Sequence, residues 1–208
     1  MLKHTSRMAQ EIAAAPAVVA RQAADLARPI GDLVARLRSR PPRVVVTCGR
    51  GSSAHAATFA KHLFERYLGI PVAAAAPSIA SIYRQPLHLK DQLCLIVSQS
   101  GESHDLIAVA EGAKASGALT VAVVNAVGSP LAATCDVVVP IGAGPELSVA
   151  ATKTFVATLA ALLRLTAVWT GEPAHAAAVA GLPDRLAAAA ALDWSGAVAP
   201  LRATDSLV

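Results

Sequence analysis

Short apolar segments alternate with helix-forming segments through the middle of this chain, and this alternation restricts the fold more than any other feature. Apolar runs bounded by glycine, proline or polar residues predict five strands, at 43–48, 71–76, 92–97, 119–125 and 136–140. Helices are predicted between them at 53–68 and 103–116, ending at Gly69 and Gly117. Strands separated by helices pair in parallel, with helices on both faces. The sequence therefore predicts an α/β fold, a three-layer αβα sandwich with a five-stranded parallel sheet.

Helical segments flank this region on both sides. Residues 1–41 predict an N-terminal helical arm in two pieces, with Pro16 near the start of the second piece. After the sheet, a long helix is predicted at 148–170, an alanine-rich helix at 174–192 and the beginning of a strand at 205–208. We expect three parts: the arm (1–41), the α/β domain (42–172) and a helical linker (173–208).

The charge pattern favours a small anionic ligand over nucleic acid. The formal net charge is +4, but only Arg36, Arg38, Arg40 and Arg43 lie close together in the sequence. Aromatic residues make up 3% of the chain, which leaves too few rings for a platform on which bases stack. We therefore expect no nucleic-acid partner.

The apolar segments and the cysteines indicate a reduced, non-membrane protein. The longest apolar stretch, 155–168, contains Arg164 and is shorter than the roughly 20 residues of a membrane span. The amino-terminal residues lack the continuous apolar core of a signal peptide. Cys48, Cys94 and Cys135 lie in or beside predicted strands without paired spacing, so we expect buried free thiols and no metal site. These features predict a cytoplasmic protein.

A first polar loop, Cys-Gly-Arg-Gly-Ser-Ser, follows the first predicted strand and leads into a helix. Gly51 allows the backbone to approach a ligand closely. Ser52 and Ser53 either cap the following helix or offer hydroxyls to a ligand, and the loop alone does not distinguish the two functions.

A second, serine-rich turn follows the third predicted strand and opens a helix. The amides at a helix N-terminus and its positive dipole end favour anions. Polar side chains add donors there: Ser98, Gln99, Ser100 and Ser103. The turn predicts a phosphate-binding site; the alternative is a plain capping box with Glu102 solvated.

A third loop, 142–154, precedes the long helix. Small residues such as Ala150 leave room for a ligand, while Glu146, Thr152 and Lys153 place charge and a hydroxyl beside it. The alternative is a solvated helix start with a surface lysine. Ligands of open parallel sheets bind at the carboxyl ends of the strands, so we expect all three loops at one edge.

In their order and spacing these three loops resemble the SIS (sugar isomerase) domain family, which has a flavodoxin-like fold. The family includes the isomerase part of glucosamine-6-phosphate synthase and related sugar-phosphate deaminases. Further similar segments lie at 69–72, 83–84, 125–131 and 149–154. The first loop, together with Pro77-Ser78, looks more like glucosamine-6-phosphate deaminase than the synthase.

The resemblance implies roles for particular residues. Phosphate binding falls on Ser98, Gln99, Ser100 and Ser103. Sugar binding falls on Gly51, Ser52, Ser53, Val149, Ala150 and Thr152. Arg50 stands where the synthase has a cysteine, so the family assigns it no role. The family chemistry needs neither a metal nor an organic cofactor.

The resemblance also implies an activity. Such an enzyme opens the sugar ring and moves a proton between C1 and C2, as an aldose-ketose isomerase or deaminase acting on glucosamine 6-phosphate or fructose 6-phosphate. The main acid-base groups of the family lie in a second tandem SIS domain, which we expect after the linker. Within this chain, Glu146 is the candidate acid-base residue, and His55 and Glu102 are the other residues whose side chains could act in this way. We expect no glutaminase domain, because the chain lacks the family's N-terminal cysteine.

Two other functions remain open, as does the assembly state. One is an enzyme like glutamine-fructose-6-phosphate aminotransferase; the other is a non-catalytic phosphosugar sensor. Relative affinities for fructose 6-phosphate and glucosamine 6-phosphate would help to distinguish them. The apolar helix 157–168 and the alanine-rich tail offer more apolar surface than one sheet covers, so we expect a homodimer.

Overall fold

The computed structural model describes residues 6–204, and its centre is a five-stranded, all-parallel sheet. The strand order is β2-β1-β3-β4-β5. The strands are β1 (Val45–Gly49), β2 (Val72–Ala74), β3 (Leu93–Ser98), β4 (Leu119–Val124) and β5 (Val137–Pro140). This arrangement confirms the predicted three-layer sandwich.

Helices cover both faces of the sheet and extend the chain at both ends. The amino-terminal and first crossover helices are α1 (Arg7–Asp25), α2 (Ala27–Ser39) and α3 (Ser52–Leu68). Those of the middle are α4 (Pro77–Ser81), α5 (His104–Ala115) and α6 (Pro130–Thr134). The last four are α7 (Lys153–Thr170), α8 (Pro173–Ala180), α9 (Leu182–Ala190) and α10 (Ser195–Arg202).

The central strand β3 separates two apolar cores, and all six of its residues are buried. Alternate side chains point to opposite faces of a strand. Leu95 and Val97 therefore join one core, with residues of α1, α2, α3 and α7, whereas Cys94 and Ile96 join the other, with α5 and α6. Burial on both faces explains why the strand is continuously apolar.

The N-terminal arm packs into the first of these cores. Ile30 and Leu33 of α2 are fully buried against it. On α1, the Gln22 side-chain amide donates to the carbonyl oxygens of Ile141 (2.6 Å) and Ala157 (2.9 Å). The division into arm, domain and linker stays a prediction, but the arm contributes directly to the core of the α/β part.

The break between the two arm helices lies at Leu26, so the prediction that Pro16 starts the second piece is wrong. Pro16 lies inside α1. Its missing N–H removes the usual intrahelical donor to the carbonyl of Ile12, a residue that is 47% exposed. The break falls where Pro29, in the first turn of α2, has no N–H for the carbonyl of Asp25.

Two later helices also differ from their predicted bounds. The helix predicted at 148–170 begins at Lys153, because residues before it fold around Glu146. The helix predicted at 174–192 divides at Gly181 into α8 and α9, since Pro183 cannot donate to the carbonyl of Val179. The strand predicted to begin at 205–208 lies outside the described residues.

The apolar face of α7 is covered by helices of the same chain. Ala157, Ala161 and Leu165 are buried in the core shared with α1, α2 and α3. This face therefore does not require a second copy of the chain, and the homodimer stays a prediction. In the described part of the tail, the exposed large apolar residues are Leu192, Trp194, Val198 and Leu201.

The three cysteines are unpaired and buried, as predicted. None of the helices between residues 6 and 204 combines the length and apolar character that crossing a bilayer requires. Within the same range, no three histidine, cysteine, aspartate or glutamate side chains cluster in a way that would hold a metal ion.

Candidate functional site

The point at which the strand order reverses lies between β1 and β3, at their carboxyl ends. The chain moves outward from β1 to β2 in one direction and from β3 to β4 in the other. In open α/β sheets this crevice is the usual ligand site. A cavity of about 200 Å³ opens there. It is lined by Arg50, Ser52, Ser53, Ala56, Gln99, Ala151, Thr154, Phe155 and Thr158.

This cavity brings residues of all three predicted loops together. Three larger cavities lie elsewhere among the described residues: one of about 330 Å³ at the amino ends of β3 and β4, one of about 670 Å³ beside the edge strand β2, and one of about 370 Å³ between the ends of α2, α3 and α7. None of the three lies at the switch point or contains the predicted loops. We therefore take the smaller cavity as the candidate site, because topology and loop chemistry agree there.

The first loop presents two serines whose hydroxyls do not cap the helix. Gly51, with φ of +52°, occupies the N-cap position of α3, and the helix begins at Ser52. The structure has no side-chain cap hydrogen bond at this end. Ser52 and Ser53 both line the cavity, so their hydroxyls are available to a ligand.

The serine-rich turn is held in a tight conformation by its own residues. The buried Ser98 hydroxyl accepts from the Gly101 N–H at 3.0 Å. Gly101 has φ of +67°, and a Cβ atom at this position would overlap the Ser129 hydroxyl. A glycine is therefore required here on two grounds, backbone conformation and space.

The open end of this turn leaves donors for an anion. Ser103 occupies the N-cap position of α5, but its hydroxyl makes no cap hydrogen bond. The Ser100 hydroxyl accepts from the Glu102 N–H over 3.4 Å, at the long end of the range for a hydrogen bond. Within residues 6–204, the N–H groups of Ser103 and His104 have no acceptor. The plain capping box is thus not formed.

An ion pair joins the first loop to α5. The Arg50 guanidinium lies 2.8 Å from the Asp105 carboxylate in the first turn of α5. Asp105 is mostly covered, with 19% of its side chain exposed, whereas Arg50 is 65% exposed. The pair fixes the first loop against the helix that follows the serine-rich turn.

The third loop is organised by Glu146. Its carboxylate accepts from the N–H and hydroxyl of Thr152, at 3.1 and 3.0 Å, and from the N–H (3.1 Å) and hydroxyl of Thr154. Burial raises the pKa of Glu146, but these hydrogen bonds outweigh it and hold the pKa below its ordinary value. The side chain is therefore an ionised carboxylate whose oxygens are already engaged.

A second carboxylate reaches the third loop from α1. Glu11, which is 8% exposed, accepts from the Leu147 N–H over 2.6 Å. The nearby Ser148 side chain, followed by the Leu147 N–H, holds the pKa of Glu11 below its ordinary value. The arm thus helps to shape the loop at the candidate site.

The predicted residues fall into two groups. Ser52, Ser53 and Gln99 line the cavity. The others lie around it: Gly51, Ser98, Ser100 and Ser103 in its loops, Thr152 bound to Glu146, and Val149 and Ala150 exposed on the third loop. His55 and Glu102 are also exposed.

Sequence reasoning missed the contribution of α7 to the cavity. Thr154, Phe155 and Thr158 line it, and the Thr158 hydroxyl donates to the Thr154 carbonyl at 2.7 Å. Two threonines four residues apart, near the start of an otherwise apolar helix, were the available signal. Such a pair lies on one face of a helix.

Comparisons with known proteins match this architecture. The SIS domain family model matches residues 40–168. A glutamine-fructose-6-phosphate aminotransferase (isomerizing) from Symbiobacterium thermophilum is 38% identical over 166 residues, which are 75% of this chain and 27% of that protein. The chain thus spans about a quarter of this curated relative.

Solved structures agree in fold. A candidate phosphosugar isomerase from Silicibacter pomeroyi DSS-3 is 46% identical, with a TM-score of 0.89 over 91% of this chain and 58% of that chain. A glucosamine-6-phosphate deaminase from Thermotoga maritima, at 22% identity, has a TM-score of 0.62 over 86% of this chain and 54% of its own. The family model covers more than half of the sequence, and the fold is the expected one. The chain belongs to the SIS domain family.

Proposed function

We propose that this chain is the sugar-phosphate-binding part of an aldose-ketose isomerase that releases ammonia from glucosamine 6-phosphate. The observation that carries this proposal is the meeting of the three loops around one cavity at the switch point, beside the N-terminus of α5. The phosphate lies on the serine-rich turn, and the sugar extends toward Ser53 and α7.

The turn is chemically suited to a phosphate. Ser100 and Ser103 offer hydroxyls, and the first amides of α5 offer N–H groups at the positive end of the helix. Hydrogen bonds to a charged group contribute roughly 1.5–3 kcal/mol each. Four or five of them reach the roughly 8 kcal/mol that micromolar binding requires.

The first loop and the relatives bear on the choice of reaction. The Gly-Arg-Gly-Ser-Ser loop resembles the deaminase type, and one structural neighbour is named a glucosamine-6-phosphate deaminase. The curated relatives are named aminotransferases, which supports fructose 6-phosphate as an alternative substrate in a synthase-like reaction. Both sugars carry the 6-phosphate that the turn would bind.

The state of Glu146 supports a second domain as the source of the acid-base groups. Glu146 is fully engaged by Thr152 and Thr154, and its lowered pKa makes it a weak base near neutral pH. We therefore assign Glu146 to loop positioning. The groups that move the proton would come from a second SIS domain, with the assembly a cytoplasmic homodimer.

The test is a calorimetric titration of the full chain with glucosamine 6-phosphate, fructose 6-phosphate and unphosphorylated glucosamine. We expect both phosphates to bind and glucosamine to bind far more weakly. The double variant Ser100→Ala/Ser103→Ala should weaken phosphate binding at least about tenfold, because two charge-assisted hydrogen bonds are lost. Ser116→Ala is the control, since Ser116 lies at the other end of α5.

Ammonia release from glucosamine 6-phosphate, by the protein isolated from its own cells, then decides between reactions. Release supports the deaminase. Tight binding without release favours the phosphosugar sensor, an alternative supported by the exposed or engaged state of His55, Glu102 and Glu146. Equal binding of glucosamine and its phosphate would rule out the phosphate-binding turn.

A further inference from the structure

The cavity contains one charged side chain among the described residues that line it, that of Arg50. Its neighbours in the lining include Ser52, Ser53 and Gln99. Within residues 6–204, the only hydrogen bond of the Arg50 side chain is the one to Asp105, at 2.8 Å. A guanidinium carries five N–H donors in a planar fork, so most of its donors are left for a ligand.

Asp105 places a negative charge close to the proposed phosphate position. It lies two residues after Ser103, and its other carboxylate oxygen accepts from the Leu106 N–H at 3.0 Å. A carboxylate in the first turn stabilises a helix through the macrodipole. The same charge repels a phosphate bound at the same helix end. Arg50 offsets this charge.

We infer that Arg50 is a specificity-determining residue that makes the site selective for a doubly charged phosphate ester over a singly charged ester of the same sugar. This inference rests on the proposed function. The guanidinium neutralises Asp105 and donates to the ligand from the first loop, while the serine-rich turn binds it from the other side. Both effects increase with the charge of the ligand.

Two ligands that differ in charge can show whether Arg50 acts through its charge or only by shaping the loop. Glucosamine 6-phosphate is mostly a dianionic ester above pH 7, because its second phosphate pKa is about 6. Glucosamine 6-sulfate carries one negative charge on a group of similar shape. If Arg50 only shaped the loop, its removal would weaken the binding of both ligands to the same extent.

The experiment is a calorimetric titration of wild type and variants with these two compounds at pH 7.5. We expect wild type to prefer the phosphate, and Arg50→Gln to lose about tenfold in phosphate affinity but less than about threefold in sulfate affinity. Asp105→Asn should bind phosphate at least as well as wild type. In Arg50→Gln/Asp105→Asn, part of the lost phosphate affinity should return, since the uncompensated carboxylate is gone.

Two further variants control for folding and for ion pairs in general. Arg50→Lys keeps the charge but not the fork, so it should retain the preference for phosphate at reduced affinity. Arg28→Gln removes an exposed ion pair on α2, in which Arg28 Nε lies 3.6 Å from Asp32 Oδ2. This variant should change neither the phosphate affinity nor the sulfate affinity.

Three results would overturn the inference. They are unchanged binding in Arg50→Gln, equal losses for phosphate and sulfate, and loss of the preference in Arg50→Lys. If wild type binds neither compound, the proposed function itself fails and the inference falls with it. If wild type binds phosphate but the ratio is independent of Arg50, only the inference fails.

Discussion

The Glu11 carboxylate accepts a hydrogen bond from the Leu147 N–H over 2.6 Å, between residues 136 positions apart in the chain. This contact links α1 with the third loop at the candidate site. Gln22 adds two further links from the same helix, to the carbonyls of Ile141 and Ala157. The amino-terminal helix is therefore part of what gives the loop its shape.

Removing the Glu11 carboxylate should loosen the third loop. In Glu11→Ala we expect faster amide hydrogen exchange at Leu147 and weaker binding of glucosamine 6-phosphate, with Glu11→Gln intermediate because its amide oxygen still accepts. Glu65→Ala is the matched control, since Glu65 accepts in the same way from the Val72 N–H at 3.1 Å. Unaltered exchange at Leu147 in Glu11→Ala would show that the contact does not restrain the loop.

Substitution of Gly101 should damage the serine-rich turn. Gly101→Ala places a Cβ atom on a backbone with positive φ and against the Ser129 hydroxyl. We expect a loss of at least about 2 kcal/mol in the free energy of unfolding, from strain and overlap together. Chemical denaturation measures it. Ser129→Gly in the same chain should restore only the part due to overlap, and a stable Gly101→Ala protein would contradict the described turn.

Asp136 should stabilise the fold in a pH-dependent manner. Burial raises its pKa, but hydrogen bonds from Thr120 and the Lys114 ammonium, 3.2 Å away, outweigh this and lower it from 3.8. A lowered folded-state pKa gives stability that is present above about pH 3.8 and lost as pH falls through the folded value.

We therefore expect Asp136→Asn to lower the free energy of unfolding by about 1 kcal/mol at pH 7 and by much less near pH 3. Thermal unfolding of both proteins at the two pH values measures this difference. Asp32→Asn, which breaks an exposed pair with Arg28, should have little effect at either pH. A difference that stays constant from pH 7 to pH 3 would contradict the role of Asp136.

The three thiols should be unreactive in the folded protein. Burial raises the pKa of Cys94 to about 12 and those of Cys48 and Cys135 to about 11. Because the thiolate is the reactive form, we expect no rapid modification by Ellman's reagent at pH 8, and reaction of all 3 thiols in denaturant. Rapid modification of Cys48, the thiol at the start of the first loop, would contradict its burial.

Much of the fold followed from local sequence patterns. The continuous apolar runs of β3 and β4 predicted strands buried on both faces, and Gly69 ends α3 in the left-handed conformation that favours glycine. Pro16 was misleading, because it lies inside α1, where the residue whose carbonyl loses its usual donor, Ile12, is exposed.

The candidate site was only partly predictable. Glycine and serine spacing marked the first two loops, because turn chemistry is local. The Arg50–Asp105 ion pair and the Glu11 contact join residues far apart in the sequence, and no local pattern encodes them. The start of α7, the helix after the third loop, was misplaced because Glu146 accepts from the backbone N–H groups of the residues at that point.

The central claim, that the serine-rich turn binds the phosphate of a sugar, is tested most directly by amide chemical-shift mapping of the full chain. Titration with glucosamine 6-phosphate should shift the amides of Gly101, Ser103, His104 and Ser53. The amide of Gly117, in the cavity at the amino ends of the strands, should not move. Shifts confined to the surroundings of Gly117, with Gly101 and Ser103 unchanged, would contradict the account.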